Sequence, residues 1–303
     1  MTKTILSTVA LLLLLQGCGG SSSNDGKKAP SGEVSKEVKS FASAFKDSIS
    51  ISSMVGKSSS SAEDTLTKNF KMSKSLESVK YEKESLQSCS NGGTKKVSTD
   101  VDFDNLTEEL AFNLFRTGFS LSMDMNDCIE DGTKTDASMS MTVKVKNDLM
   151  SIDIKFNRNS TFEEIETGEI ITVYKDSNMS MEEISDYEEL VTESIKATSS
   201  TGKSYESIAL TTHELFAESS NSFYEVSGEI VHKDVTYRVD ENYDGSKTPM
   251  VIDDEGNLIR GTAKYFNVKN EHITVKVIGK NKIKISVDGD NDGTDDAEET
   301  IDL

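Results

Sequence analysis

From about Ser88 onward, apolar and polar residues alternate with a period of two, and this pattern constrains the fold more than any other feature of the chain. Val97, Thr99, Val101 and Phe103 alternate with polar neighbours, as do Phe119, Leu121, Met123 and Met125. The pattern returns in Met139, Met141, Val143 and Val145, then in Met150, Ile152, Ile154 and Phe156. Later runs are Tyr224 to Ile230, Val235 to Val239, Ile273 to Val277 and Ile283 to Val287. Successive side chains of a strand point to opposite faces, so a period of two specifies one buried face and one wet face. Asn91-Gly92-Gly93, Asp131-Gly132, Asp244-Gly245 and Glu255-Gly256-Asn257 punctuate the runs as turn signals. Short connections imply antiparallel pairing. The expectation is a mainly β domain built as an antiparallel meander, whether curved sheet, open barrel or sandwich. Residues 181–200 fit two patterns: Ile184, Tyr187, Leu190 and Val191 have helical spacing, while the flanking Ser and Thr residues argue against a helix.

Ahead of this region the period is helical. Val34, Val38, Phe41, Phe45 and Ile49 recur at steps of three and four. Gly56 and the Ser58–Ser61 run interrupt it, and Leu66, Phe70 and Leu76 carry a second, weaker pattern. The chain therefore divides into a helical segment over 33–86 and a β domain over 87–303. The polar face of the first helix mixes Lys with Glu and Asp, which favours packing on the β domain over lying on a membrane.

The first residues concern location rather than fold. Lys3 precedes a mostly apolar run from Ile5 to Leu15, which is too short to span a bilayer and has the length of a signal-peptide core. The run ends in Leu15-Gln16-Gly17-Cys18, which resembles the lipobox of bacterial lipoproteins. That resemblance implies a signal peptide over 1–17, a diacylglyceryl thioether on Cys18 and acylation of the new amino terminus. The lipid bilayer then becomes a partner through acylated Cys18, since two or more acyl chains anchor stably where one does not. Residues 18–32 form the lipidated Cys and a tether of mostly Gly, Ser, Asn, Lys and Asp, spanning roughly 20 Å as a flexible coil. Gly19 rather than Asp after the cysteine points to the outer membrane by the enterobacterial sorting pattern.

The net charge of −20 makes nucleic acid an unfavourable partner, because phosphate backbones repel such a chain. It equally disfavours charge-driven adhesion to anionic headgroups, which leaves anchoring to the lipid. Besides Cys18 the chain has only Cys89 and Cys128. An exported protein folds in an oxidising compartment, where such a pair is expected to bridge. Local sequence agrees: Cys89-x-x-x-Gly93-Thr94-Lys95 recurs as Cys128-x-x-x-Gly132-Thr133-Lys134. Two strand passes between these turns bring the second back beside the first.

Near the C-terminus, Asp288-Gly-Asp290-Asn-Asp292-Gly293-Thr294-Asp-Asp296 leads to Glu299. This run resembles the calcium loops of EF-hands, dockerins and thrombospondin type 3 repeats. The resemblance implies side-chain oxygens from Asp288, Asp290 and Asp292, the carbonyl of Thr294, Asp296 directly or through water, and Glu299 closing the site. Calcium takes six to eight hard oxygens, which alternate residues of a tight loop supply. The entering segment alternates like a strand, and the eighth position is the polar Asp295. The pattern is therefore that of a single structural Ca2+ loop rather than a paired regulatory EF-hand, with Glu299 the least secure ligand. Affinity is expected in the extracellular range, roughly 0.1 to 1 mM.

No catalytic pattern stands out. His213, His232 and His272 lack metal-ligand spacing, and there is no nucleophile elbow, Walker loop or dinucleotide fingerprint. Leu121, Met123 and Met125 precede the Asp131-Gly132 turn, while Met139, Met141 and Val143 follow it, so a hairpin would place both stripes on one face. Core filling is the leading expectation for this face. The alternative is a soft surface for an apolar ligand, in a half-barrel similar in outline, though not in motif, to carriers that move lipoproteins across the periplasm. The functional expectation is a non-enzymatic envelope lipoprotein with a binding or structural role and an unidentified envelope protein partner. A carrier of lipid or another apolar ligand is the alternative, and a hydrolase comes third.

Overall fold

The computed structural model describes residues 36–48, 51, 84–99, 117–146, 149–185, 187–216, 222–239, 248–253, 257–267, 269 and 271–303. Within them lie one helix, α1 (residues 36–48), and eighteen strands. The first six strands are β1 (Glu84–Ser88), β2 (Thr94–Thr99), β3 (Phe119–Glu130), β4 (Thr133–Lys146), β5 (Leu149–Phe156) and β6 (Ser160–Glu164). Then come β7 (Ile170–Val173), β8 (Asn178–Ser185), β9 (Glu188–Ser194), β10 (Lys196–Ser199), β11 (Ser204–Phe216) and β12 (Ser222–His232). The last six are β13 (Val235–Val239), β14 (Thr248–Ile252), β15 (Leu258–Asn267), β16 (His272–Gly279), β17 (Lys282–Asp288) and β18 (Ala297–Asp302). The protein is thus mainly β, as the alternation predicts. The sheet begins at Glu84, slightly ahead of the expected boundary at 87. Residues 181–200 form strands rather than a helix, with Met181, Val191, Ile195 and Ala197 buried. The Leu66–Leu76 pattern, the tether and Cys18 lie outside the described residues.

All ladders are antiparallel. β1 to β4 pair in succession. The long strand β4 then pairs with β5 along Met139–Lys146 and with β6 along Thr133–Asp136. β8 and β7 continue outward from these two, followed by β9 and β10, and both of the last reach β11. Beyond β12 the ladder passes through β13 and β14, then β15, β16, β17 and β18. One continuous sheet forms rather than the two of a sandwich.

The paired breaks in neighbouring strands lie on one line. β3 has a bulge at Asn126–Asp127, with Asp127 at a φ of 48°. β5 gives way to β6 at 157–159, β7 to β8 at 174–177, and β9 to β10 at Ile195. These breaks are stitched together by Asp176 N donating to Phe156 O, Tyr174 N to Lys196 O and Ser207 N to Ile195 O. β11 carries the next irregularity between Ile208 and Thr211, with Ala209 at a φ of 45°. Opposite it, Gly228 of β12 has a φ of 104°, and a Cβ there would come within 2.4 Å of the Ala209 carbonyl oxygen. Bulges bend a sheet and increase its local twist. This aligned series forms a crease from β3 to β12.

Two apolar clusters line the inner face. The larger draws inward residues from strands as far apart in the ladder as β3 (Met123, Met125) and β18 (Ala297, Ile301), so the sheet must curl around it. The smaller comprises Phe119, Leu121, Val143, Ile152, Met181 and Val191, flanked by Met141, Met150, Ile154 and Met179. Helix α1 belongs to the larger cluster through Val38, Phe41, Ala42 and Ala44. The Phe41 ring lies 4.9 Å from Tyr237, edge to face, and 5.0 Å from Tyr265. Its apolar stripe thus packs on the β domain, and burial of the Phe41 side chain alone contributes about 2 kcal/mol.

Candidate metal centre

The loop between β17 and β18 is built from the Asp-rich run. Asp288 ends β17, and Ala297 opposite Val287 opens β18. Both carboxylate oxygens of Asp288 are turned into the loop: Oδ1 accepts from Asp292 N at 3.2 Å and Oδ2 from Gly293 N at 2.9 Å. Asp290 Oδ1 also accepts from Asp292 N, at 3.3 Å, and Asp296 Oδ2 accepts from Gly289 N at 3.0 Å. Asn291 and Gly293 adopt positive φ, at 59° and 86°, which closes the turn.

One carboxylate oxygen from each of Asp288, Asp290 and Asp296 lies within 4.8 Å of the others. Two oxygens on one calcium ion, each at 2.3–2.6 Å, are at most about 5 Å apart, so this trio has the spacing a single ion requires. The remaining residues of the expected ligand set stand differently. Asp292 uses Oδ1 to accept from Thr294 N at 2.7 Å and is outside the trio. Thr294 is exposed in the loop. Glu299 sits in β18 opposite Ile285, half-buried, and is also outside the trio. The pleat explains this: Glu299 shares the Ala297 and Ile301 side of β18, whereas the closing Glu of a helical loop is carried back by the exiting helix. Lys284 answers the loop's outer charge through Glu298 at 3.0 Å and Asp295 at 3.8 Å.

Cys89 and Cys128 form a disulfide with a Cα separation of 5.5 Å. The turn after Cys89 is also hydrogen-bonded to β3: Asn91 N donates to Ile129 O, and Ile129 N donates to Gly92 O. The two lysines of the repeated motif both find acids nearby, Lys95 with Glu130 at 3.1 Å and Lys134 with Asp127 at 2.9 Å.

The six residues of the apolar stripe share the inner face, with Leu121 opposite Met141, Met123 opposite Met139, and Val143 opposite Phe119. They fall in two apolar clusters. Met123, Met125 and Met139 belong to the larger cluster that includes α1, while Leu121, Met141 and Val143 belong to the smaller one. The same smaller wall carries Met150, Met179 and Met181 from β5 and β8, which no motif in the sequence marks as a site.

Three polar groupings have no local signature. His232 Nε2 lies 2.9 Å from Asp47 Oδ2, joining β12 to α1 across the chain. His213 Nε2 lies 2.6 Å from Glu188 Oε1 on the outer face. Glu193 is fully inside, bonded to the Tyr205 hydroxyl, and burial raises its carboxyl above the ordinary range despite that bond and one from Ser207. Burial, then the nearby Glu193, pushes the Tyr205 hydroxyl well up. The His213 ring also lies 3.9 Å from Glu225. No protein-family model, curated protein or solved structure matches the chain.

Proposed function

We propose that this is a non-enzymatic lipoprotein of the bacterial cell envelope, anchored in the outer membrane by acylated Cys18, whose curled β domain takes a structural calcium ion at its last hairpin. The convergence of Asp288, Asp290 and Asp296 carries the calcium part of this reading. An ion held by those three carboxylates would offset their mutual repulsion and tie the end of β17 to the start of β18. The anchor is supported by the Leu15–Cys18 motif, and an exported location accords with the Cys89–Cys128 disulfide. Two tests apply to the full-length protein. Cys18→Ala should release it from the membrane fraction, and retention would refute the anchor. Calcium at about tenfold excess over Kd should stabilise the domain by about 1.4 kcal/mol, a few degrees in Tm, and no shift against chelator would refute the ion.

A second reading, a carrier of an apolar ligand, is favoured by one observation. The Met-rich wall around Met141, Met150, Met179 and Met181 belongs to a cluster separate from the one that α1 packs into. Native mass spectrometry of the protein purified from an envelope decides this. A heterogeneous lipid-sized adduct supports the carrier, and a bare or calcium-only chain removes it.

A further inference from the structure

The corner stapled by Cys89 and Cys128 holds a buried charge pair as well as two sulfurs. Cys128 and Glu130 are two residues apart on β3, so the pleat puts both side chains on one side. One Glu130 carboxylate oxygen comes within 4.8 Å of both sulfurs. The two Glu130 oxygens lie 3.1 and 3.3 Å from Nζ of Lys95 on β2. Both cysteines and Lys95 are buried. The corner thus gathers two sulfurs, a carboxylate and an ammonium group away from water.

We propose that this corner, once its bridge is reduced, is a zinc site ligated by Cys89, Cys128 and Glu130, with Lys95 balancing its charge. The bridge opens by exchange with a dithiol reductant: the reductant's two thiols become its own disulfide, and Cys89 and Cys128 each gain a hydrogen. Zinc then displaces the two thiol protons and takes up two thiolates and the carboxylate. Zinc is borderline-soft and tetrahedral, and three protein ligands leave its fourth position to water. With Zn–S near 2.3 Å and Zn–O near 2.1 Å, neighbouring ligand atoms stand about 3.5 Å apart. The freed sulfurs therefore part, while the carboxylate draws in by about 1 Å. Charge favours the ion. Two thiolates and one carboxylate are matched by Zn2+ and the Lys95 ammonium, so the ligated group is neutral as a whole, which a buried site requires. An ionised carboxylate has about four lone-pair sites, so Glu130 can ligate zinc and keep Lys95. Calcium, which takes oxygen ligands, is the wrong ion for the sulfurs. In reducing surroundings the ion takes the place of the cross-link and keeps the turn after Cys89 tied to β3. The site rests on neither the lipid anchor nor the calcium loop.

Cobalt(II) absorption of the full-length Cys18→Ala protein, whose only thiols are then Cys89 and Cys128, tests the site. After reduction with a phosphine, in saturating calcium, one equivalent of cobalt should give thiolate-to-metal charge-transfer absorption and tetrahedral d–d bands. One equivalent of zinc should bleach both. The oxidised protein should show neither. Glu130→Gln should weaken cobalt binding by more than the roughly tenfold that loss of an outer-shell partner costs. An unfolded chain would bind metal through its cysteines alone, so dependence on Glu130 distinguishes the folded site from loose thiols. If Glu130→Gln does not fold because Lys95 is left buried and unpaired, the Lys95→Met/Glu130→Gln double variant replaces it and should bind as weakly. No charge-transfer absorption in the reduced protein, equal affinity without the Glu130 carboxylate, or the same bands in the oxidised protein would each overturn the proposal.

Discussion

Cys89 and Cys128 join the turn of one hairpin to the bulged edge of the next, with the residue after Cys128 already bonded to the turn after Cys89. The bridge spans 39 residues of sequence, and removing it should cost about 4 kcal/mol in the chain-entropy model. Cys89→Ser, Cys128→Ser and the double variant should be destabilised alike in urea melts, since each removes the same cross-link. A much milder effect in one single variant would show that the bridge is not what stabilises this corner.

The calcium trio predicts an order among the acids of the last hairpin. Asp288→Asn and Asp296→Asn should abolish the calcium-dependent rise in Tm. Asp295→Asn, whose carboxylate faces Lys284 at 3.8 Å, should leave it intact. Glu299→Gln should reduce it little, because the side chain lies on β18 outside the trio. Thermal melts in calcium and in chelator read all four. A Glu299→Gln variant that loses the response would restore the full twelve-residue ligand set.

Gly228 should be among the least replaceable residues of the sheet. Gly228→Ala places a methyl 2.4 Å from the Ala209 carbonyl oxygen at a φ of 104°, so the crease must open to admit it. A loss of roughly 2–4 kcal/mol is expected. Gly132→Ala, at a φ of 75° with nothing within 4 Å, should cost only about 1–2 kcal/mol of backbone strain. Equal losses in denaturant melts would mean that the close approach at the crease does not constrain the fold.

Glu193 should make the domain less stable as pH rises. Burial raises its folded-state pKa above the unfolded value of about 4.3, so the native state holds a proton that the unfolded chain releases. Stability linked to this group is complete below the unfolded value and declines as pH rises toward the raised one. Glu193→Gln keeps a partner for Tyr205 without an acid. It should be more stable than the parent at pH 8, with the advantage vanishing by about pH 4. A Gln variant that is less stable throughout would mean that the carboxyl form itself is required.

The strand faces were legible because side-chain alternation is a local consequence of the pleat. Val97, Met123, Met139, Ile273 and Ile285 all fall on the inner side where the period of two puts them. The disulfide was legible because its two turns repeat a local motif. The crease was not, since it arises from irregularities in strands that meet only after folding: Asp127, Ile195, Ala209 and Gly228 share no sequence pattern. Residues 181–200 were ambiguous for a related reason. Glu189 and Glu193 point inward beside Val191, so polarity there does not mark the wet face. The pairing of His232 with Asp47 spans 185 residues and carries no spacing signal. In the Asp-rich loop, Asp288, Asp290 and Asp296, which the motif marks, bring carboxylate oxygens within 4.8 Å of one another, whereas Glu299, which it also marks, lies on β18 outside that group.

Calorimetric titration of calcium into the full-length protein, alongside Asp288→Asn, reads the proposed ion itself. One site per chain is expected, with a Kd of roughly 0.1 to 1 mM, and it should disappear in the variant. No binding by the parent protein, or the same binding by Asp288→Asn, would contradict it.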